Sequence, residues 1–184
     1  MSSMRHTSIF YKLICVVLCA AMLVPLTACG ETRKSQREVY AMDTIMTLTA
    51  YGNNADAGLD AAESIILSMD SALDPELSTS TTYAINHAQG GSTVISGQIA
   101  RMISTAHTVY QQSEGALDLT LYPLVKRWGF VDGKYYVPTA AEISEDLSRL
   151  CFGQIVLTSF PASGSYSVSL PSYGELSFAS VAKG

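Results

Sequence analysis

Positive charge is scarce in this chain: 11 of 184 residues are Lys or Arg, against 16 Asp or Glu, for a net charge of −5. No basic run occurs, so the electrostatic footprint of a nucleic-acid-binding surface is absent. Nucleic acid is not an expected partner. Cysteine is also sparse, at 4 residues, and no Cys/His pair has the spacing of a zinc site. The GxGxxG, Walker, HExxH and GxSxG motifs are missing. One long apolar run exists, the 12 residues from Leu13 to Val24. As a helix it would span about 18 Å, short of the ~30 Å hydrocarbon core of a bilayer, which excludes a spanning segment on length. Disorder is excluded as well. With 48% apolar and only 15% charged residues, there is ample apolar side chain to offset chain ordering. The length allows one domain or a compact pair of subdomains.

What stands at the N-terminus is an address. Arg5, His6 and Lys12 lead into the apolar run, Pro25 interrupts it, and Leu26-Thr27-Ala28-Cys29 follows. A basic start, a short apolar stretch and small residues before a cut site describe a secretory signal over residues 1–28. Leu-Thr-Ala-Cys resembles the lipobox of bacterial lipoproteins. That resemblance implies a thioether lipid on Cys29, cleavage before it, and tethering to the extracytoplasmic face of a bacterial membrane. Residues 29–184 then carry 9 Lys or Arg and 16 Asp or Glu, a net charge of −7. Cys15 and Cys19 leave with the signal and Cys29 is lipidated. Cys151 is left without a disulfide partner. Residues 29–38 are polar without an apolar period and read as a tether, with the domain expected over 39–184.

Within the domain, Val39 to Tyr51 reads as a first strand ending at Gly52-Asn53-Asn54. Residues 57–73 place Leu59, Ala62, Ile65, Ile66, Met69 and Leu73 at helical spacing, and Asp74-Pro75 stops the helix. A hydroxyl-rich loop over Ser78 to Thr82 leads into a helical turn at Tyr83–His87. Gly90-Gly91 turns into a strand at Thr93–Ile95. Ser96 caps a helix with Ile99, Met102, Ile103, Ala106 and Tyr110 on one face and Gly115 as its stop. Thr139 and Glu142 form a capping box for a helix to about Leu150, its acidic face expected in solvent with Glu145 paired to Arg149. Strands follow at Ile155–Leu157, at Ser165–Leu170 with serines turned to solvent, and at Glu175–Phe178 after a turn at 171–174. The pattern predicts an α+β fold, a mixed or antiparallel sheet with packed helices.

The chemistry-bearing candidates are few. His87 and His107 have no partner motif nearby and read as structural. Ser180-Val181-Ala182-Lys183 fits the S-x-x-K of serine acyl enzymes, but S-D-N and K-T-G are absent, so that reading is a weaker alternative. The densest signal is Gly115-Ala116-Leu117-Asp118-Leu119-Thr120-Leu121-Tyr122-Pro123-Leu124-Val125-Lys126-Arg127-Trp128-Gly129-Phe130. Pro123 can open a helical turn, and Trp128 and Phe130 flank a glycine as in a packed corner. Asp118, however, lies just past a helix stop in an apolar setting. An unpaired carboxylate there is costly, so backbone amides, a hydroxyl or a ligand must meet it.

This segment resembles the G-A-F-D-x-T-x-x-P-L-v-x-x-W-G-F signature of the ApbE-type FAD:protein FMN transferases. Three further blocks stand in family order. Met42-Asp43-Thr44 resembles M-G-T, Ser80 through Asn86 resembles S-e-x-x-x-x-N, and Phe178 through Gly184 resembles l-s-a-i-A-K-G. The resemblance implies an ApbE-like fold and FAD as substrate. The FMN half would pass to a Ser or Thr hydroxyl of an exported redox-protein subunit, with AMP released and Mg²⁺ required. It implies that Met42, Ala116, Leu117, Asp118 and Lys183 line the FAD site, and that Ser180 gives an oxygen to Mg²⁺. It assigns no catalytic residue. Magnesium and a lysine suit the charge that develops when a pyrophosphate is cut, and Lys183 is expected at a strand-to-helix junction, a natural phosphate site. Asp43 stands where the family has glycine, Leu117 where it has Phe, and Glu76 where an aromatic or Thr packs on the flavin. The family also continues past the position of Gly184 for roughly as many residues again, so the C-terminal half, with further metal ligands, is expected to be missing. The alternative is a truncated, inactive or FAD-binding-only lipoprotein.

Overall fold

A computed structural model describes residues 33–183. The signal segment, Cys29 and residues 30–32 lie outside the described residues. β1 (Lys34–Ala41) and β2 (Thr44–Tyr51) pair as a hairpin around Met42-Asp43. The single strand expected over 39–51 is therefore two strands. Residues 34–38, read as tether, form the first part of β1. Their strand character is masked because Ser35 and Arg37 take the inward positions that apolar residues usually hold, alternating with exposed Lys34, Gln36 and Glu38.

The chain continues through α1 (Ala55–Leu73), α2 (Thr81–Asn86), β3 (Ser92–Ile95), α3 (Gly97–Gln112), α4 (Tyr122–Arg127), α5 (Ala140–Leu147), β4 (Val156–Phe160) and β5 (Ser165–Ser169). Short 3₁₀ turns lie at Leu119–Leu121 and Phe152–Gln154. Two compact units result. The smaller comprises residues 33–37 with Leu48–Asp60. In it the Gly52 amide donates to the Arg33 carbonyl at 2.8 Å, and ion pairs join Arg33 to Asp56 at 2.5 Å and Arg37 to Asp60 at 2.7 Å. Such exposed pairs contribute about 0–1 kcal/mol each, so burial of Ala55 and Leu59 is the firmer anchor.

The larger unit comprises residues 38–47 with 61–183. Its sheet runs β3-β5-β4, all antiparallel, with Ile95 opposite Tyr166 and Phe160 opposite Ser165. β5 is thus central, which overturns the expectation of serines in solvent: Ser167 is buried. α3 lays Ile99, Ile103 and Ala106 into a core with Val168, Phe152, Leu176 and Phe178. Each large side chain buried there contributes about 1.5–3 kcal/mol. From α1, Met69, Ala72 and Leu73 reach this core, whereas Ile65, expected on the same face, is 55% exposed.

Caps set the helix starts. Ser80 accepts the Tyr83 amide at 2.9 Å, so α2 begins two residues before the expected turn. Ser96 caps α3, and the Thr139/Glu142 capping box opens α5, which stops at Leu147 rather than about Leu150. The acidic face of α5 is not simply solvated. Asp146 is buried and gripped by Arg127 in a bidentate pair, Nε and one terminal nitrogen each donating to a carboxylate oxygen, with Glu142 at 3.6 Å and Glu145 at 3.8 Å from the same group. Residues 175–178 form no strand: the Asn86 side chain bonds both backbone groups of Leu176, and the Ser177 amide donates to the Leu119 carbonyl.

Candidate functional site

The β1–β2 connection has positive φ at both central residues, 51° at Met42 and 54° at Asp43. Two-residue hairpin loops of this kind favour Asn-Gly because side chains crowd the backbone there. A methionine held so is strained by an amount on the order of 1 kcal/mol, and such strain gathers at functional positions. Asp70 stabilises the turn by accepting the Met42 amide at 2.8 Å, and the Met42 side chain packs against the core.

The second part begins where α3 ends. Glu114 (φ 55°) and Gly115 (φ 86°) reverse the chain, and the Gly115 amide reaches back to the Tyr110 carbonyl at 2.8 Å. Ala116 is exposed and Leu117 packs against the core. Asp118 is buried, and what meets it is Thr120. Its Oδ1 accepts the Thr120 amide at 2.7 Å and the Thr120 hydroxyl at 2.6 Å, and Thr120 Oγ1 accepts the Cys151 amide at 2.9 Å. One carboxylate oxygen is thereby committed to the fold. Cys151 itself is buried, and that burial pushes its thiol pKa up.

The third part is the segment leading to Lys183. Asn86 acts as a one-residue strand: its Oδ1 accepts the Leu176 amide at 2.8 Å and its Nδ2 donates to the Leu176 carbonyl at 2.9 Å. The Ser177 amide donates to the Leu119 carbonyl at 3.0 Å. After the buried Phe178, the amides of Val181 and Ala182 both turn back onto its carbonyl. Ser180 and Lys183 are exposed in that turn. Residues 175–178 form no strand and residues 179–183 form a turn, so the strand expected ahead of Lys183 is replaced by a turn. The S-x-x-K residues accordingly sit on an open turn rather than on a helix.

Hydrogen bonds therefore tie Asn86 of the Ser80–Asn86 block to Leu176, and Ser177 to Leu119 of the Gly115–Phe130 block, so the two residues just ahead of the Phe178–Gly184 block are held between the other two. Beside them lies a cavity of about 390 Å³ lined by Pro75, Glu76, Tyr83, His87, Tyr122, Lys126 and their neighbours. The Tyr122 hydroxyl donates to Glu76, Lys126 pairs with Glu175, and the Lys126 ammonium lies 5.0 Å from the centre of the Tyr122 ring. Burial and the Glu76 contact together push the Tyr122 phenol well above its ordinary range. His87 stacks on Tyr83 at 3.7 Å between ring centres, while His107 packs beside Tyr110 and Phe152. None of Met42, Ala116, Leu117, Asp118, Ser180 or Lys183 lines this cavity. In the sequence Glu76 stood out only as a departure from the family pattern, and Tyr122, Lys126 and Glu175 carried no role of their own.

For magnesium, Ser180 offers one exposed hydroxyl, and no group of three or more His, Cys, Asp or Glu able to hold a metal occurs among the described residues. The described residues do not make a magnesium site by themselves.

Residues 42–184 match the ApbE family. The chain belongs to that family. No curated protein sequence matches it. Among solved structures it resembles the ApbE protein of Thermotoga maritima, with a TM-score of 0.73 at 17% identity over 83% of this chain and 49% of that one. It also resembles the flavinyl transferase ApbE of Pseudomonas stutzeri in its apo form (TM-score 0.68, 20% identity, 83% and 50%) and the flavin transferase ApbE of Vibrio cholerae (TM-score 0.68, 17% identity, 83% and 50%). The α+β fold is thus an ApbE fold, and the chain spans about half the length of the structures it matches. The strained Met42-Asp43 turn opens the matched region of this ApbE-family chain, and the Gly115–Phe130 block lies within it.

Proposed function

We propose that this chain provides FAD recognition for flavin transfer to an exported redox-protein subunit. A Ser or Thr hydroxyl oxygen of the acceptor attacks the flavin-side phosphorus of FAD. The phosphoryl–oxygen bond to the adenylate half breaks, AMP leaves, and the hydroxyl proton is released to solvent or a base. The family match over residues 42–184 carries this reading, and the hydrogen bonds that hold Leu176 and Ser177 to Asn86 and Leu119, just ahead of the Phe178–Gly184 block, support it. In this reading Met42, Ala116, Leu117 and Asp118 face the dinucleotide, and Lys183 neutralises phosphate charge. The exposed hydroxyl of Ser180 would give one oxygen to Mg²⁺, which prefers oxygen ligands and retains waters. Residues 1–28 act as an export signal and Cys29 carries the lipid that holds the domain at the extracytoplasmic membrane face.

Incubation of the protein with FAD, Mg²⁺ and a flavin-acceptor domain tests this reading. AMP and a covalently fluorescent acceptor are expected, and the absence of both would refute it.

A further inference from the structure

Residues 128–137 form a closed, pinned loop. The Tyr136 amide donates to the Trp128 carbonyl at 3.1 Å, and the Tyr136 hydroxyl donates to Glu142 at 2.9 Å. Gly129 (φ 76°) faces the Lys134 carbonyl so closely that a Cβ would overlap it. At the tip the Lys134 amide donates to the Asp132 carboxylate at 3.0 Å. A loop fixed at both ends would be expected to tuck its apolar side chains inward. It does the opposite: Phe130 is 64% exposed, Tyr135 77% and Val137 76%, with Val131 also in solvent and Lys134 beside them at 84% side-chain exposure. Trp128, Phe130 and Tyr135 stand in a row, with ring centres 6.3 Å and 5.9 Å apart. The corner expected to be packed is an aromatic ridge in which Trp128 is half-buried and Phe130 and Tyr135 are exposed.

We propose that this ridge is a second membrane contact, inserting its aromatic and aliphatic side chains into the headgroup region of the bilayer to which Cys29 is anchored. The proposal rests on the lipid-anchor part of the proposed function. Two observations select lipid as the occupant. β1 begins at Lys34, so the reach from Cys29 to folded structure is five residue steps, about 18 Å at full extension. The tether read from sequence would have run to residue 38; the fold shortens it and holds the domain against the bilayer at high effective concentration. The ridge also has the composition of an interfacial anchor, namely amphipathic aromatic rings, aliphatic side chains and a flanking, exposed Lys134, which pairs with Asp132 at 3.2 Å. A lipid chain and a shallow protein insertion act as two signals that reinforce each other.

Trp128 is the chain's one tryptophan, so its emission reports on this loop without labelling. The full-length lipidated chain is reconstituted in phosphatidylcholine/phosphatidylglycerol vesicles with and without bromine on the acyl chains. Loss of Trp128 emission on bromination is expected in the natural chain. In Val137→Asp, which leaves the ring row intact, and in Phe130→Asp, that loss disappears while both variants still float with the vesicles. Floating chain with unquenched Trp128 overturns the membrane contact and leaves the lipid anchor standing. Quenching that persists in both variants also overturns it. A chain that does not float overturns the anchor reading and this proposal together.

Discussion

Asn86→Ala removes the side chain that stands in for a strand beside Leu176. Asn86 satisfies both backbone groups of that residue, at 2.8 and 2.9 Å, and Leu176 itself is wholly buried. The truncation leaves one buried N–H and one buried C=O without partners, each worth about 1–3 kcal/mol. Water entering the vacated space recovers part of this, so the net loss should be about 2–4 kcal/mol. Against a typical domain stability of about 5–15 kcal/mol, that is a large fraction. With a urea slope of about 1–3 kcal/mol per molar, the midpoint should fall by about 1–2 M. The loss should also be local first. Amide exchange at Ser177, Val181 and Ala182 should accelerate ahead of α3, because Asn86 is what fixes the segment carrying Ser180 and Lys183. Ser172→Ala, an exposed neighbour, should change stability by less than about 0.5 kcal/mol. An Asn86→Ala midpoint within error of that control would refute the reasoning.

Other perturbations follow from the same geometry. Asp43→Gly places glycine where φ is 54° and should raise stability by about 0.5–1 kcal/mol, read by urea unfolding. The Asp146 carboxyl is held below its ordinary range by hydrogen bonds from Arg127, and the Glu142 carboxyl by the Thr139 amide and hydroxyl. A carboxyl whose folded pKa is depressed contributes stability that is present above its unfolded pKa of about 4 and lost as pH falls through the folded value. α5 should therefore loosen on acidification below pH ~4, seen as faster amide exchange there, and Asp146→Asn should flatten that dependence. Cys29→Ser should abolish incorporation of labelled fatty acid and release the chain from membranes.

Short-range chemistry was legible in the sequence. Ser96 and the Thr139/Glu142 box announced their helices, the apolar period of α3 matched its buried face, and Asp118 demanded a partner that proved to be Thr120. What failed depended on residues distant in the chain. Residues 34–38 looked like tether because their strand partner lies across the Met42-Asp43 turn. The serines of β5 looked solvent-facing because nothing local says that β3 and β4 flank that strand on both sides. Glu175–Phe178 looked like strand because its actual hydrogen-bond partners, Asn86 and Leu119, are side chain and loop. Asp146 lay on a helix face read as solvated until Arg127 was placed beside it. The motif blocks were visible as words; their joining through Asn86, Leu176 and Leu119 was not.

The central claim is that Met42, the Ala116–Asp118 turn and Lys183 form one FAD-facing surface. Titrating FAD into isotope-labelled chain while following backbone amide shifts tests it most directly. Saturable shifts should appear at Met42, Asp43, Ala116, Leu117, Asp118 and Lys183, and weaken together when AMP competes. Shifts confined to other residues, or none at millimolar FAD, would contradict it.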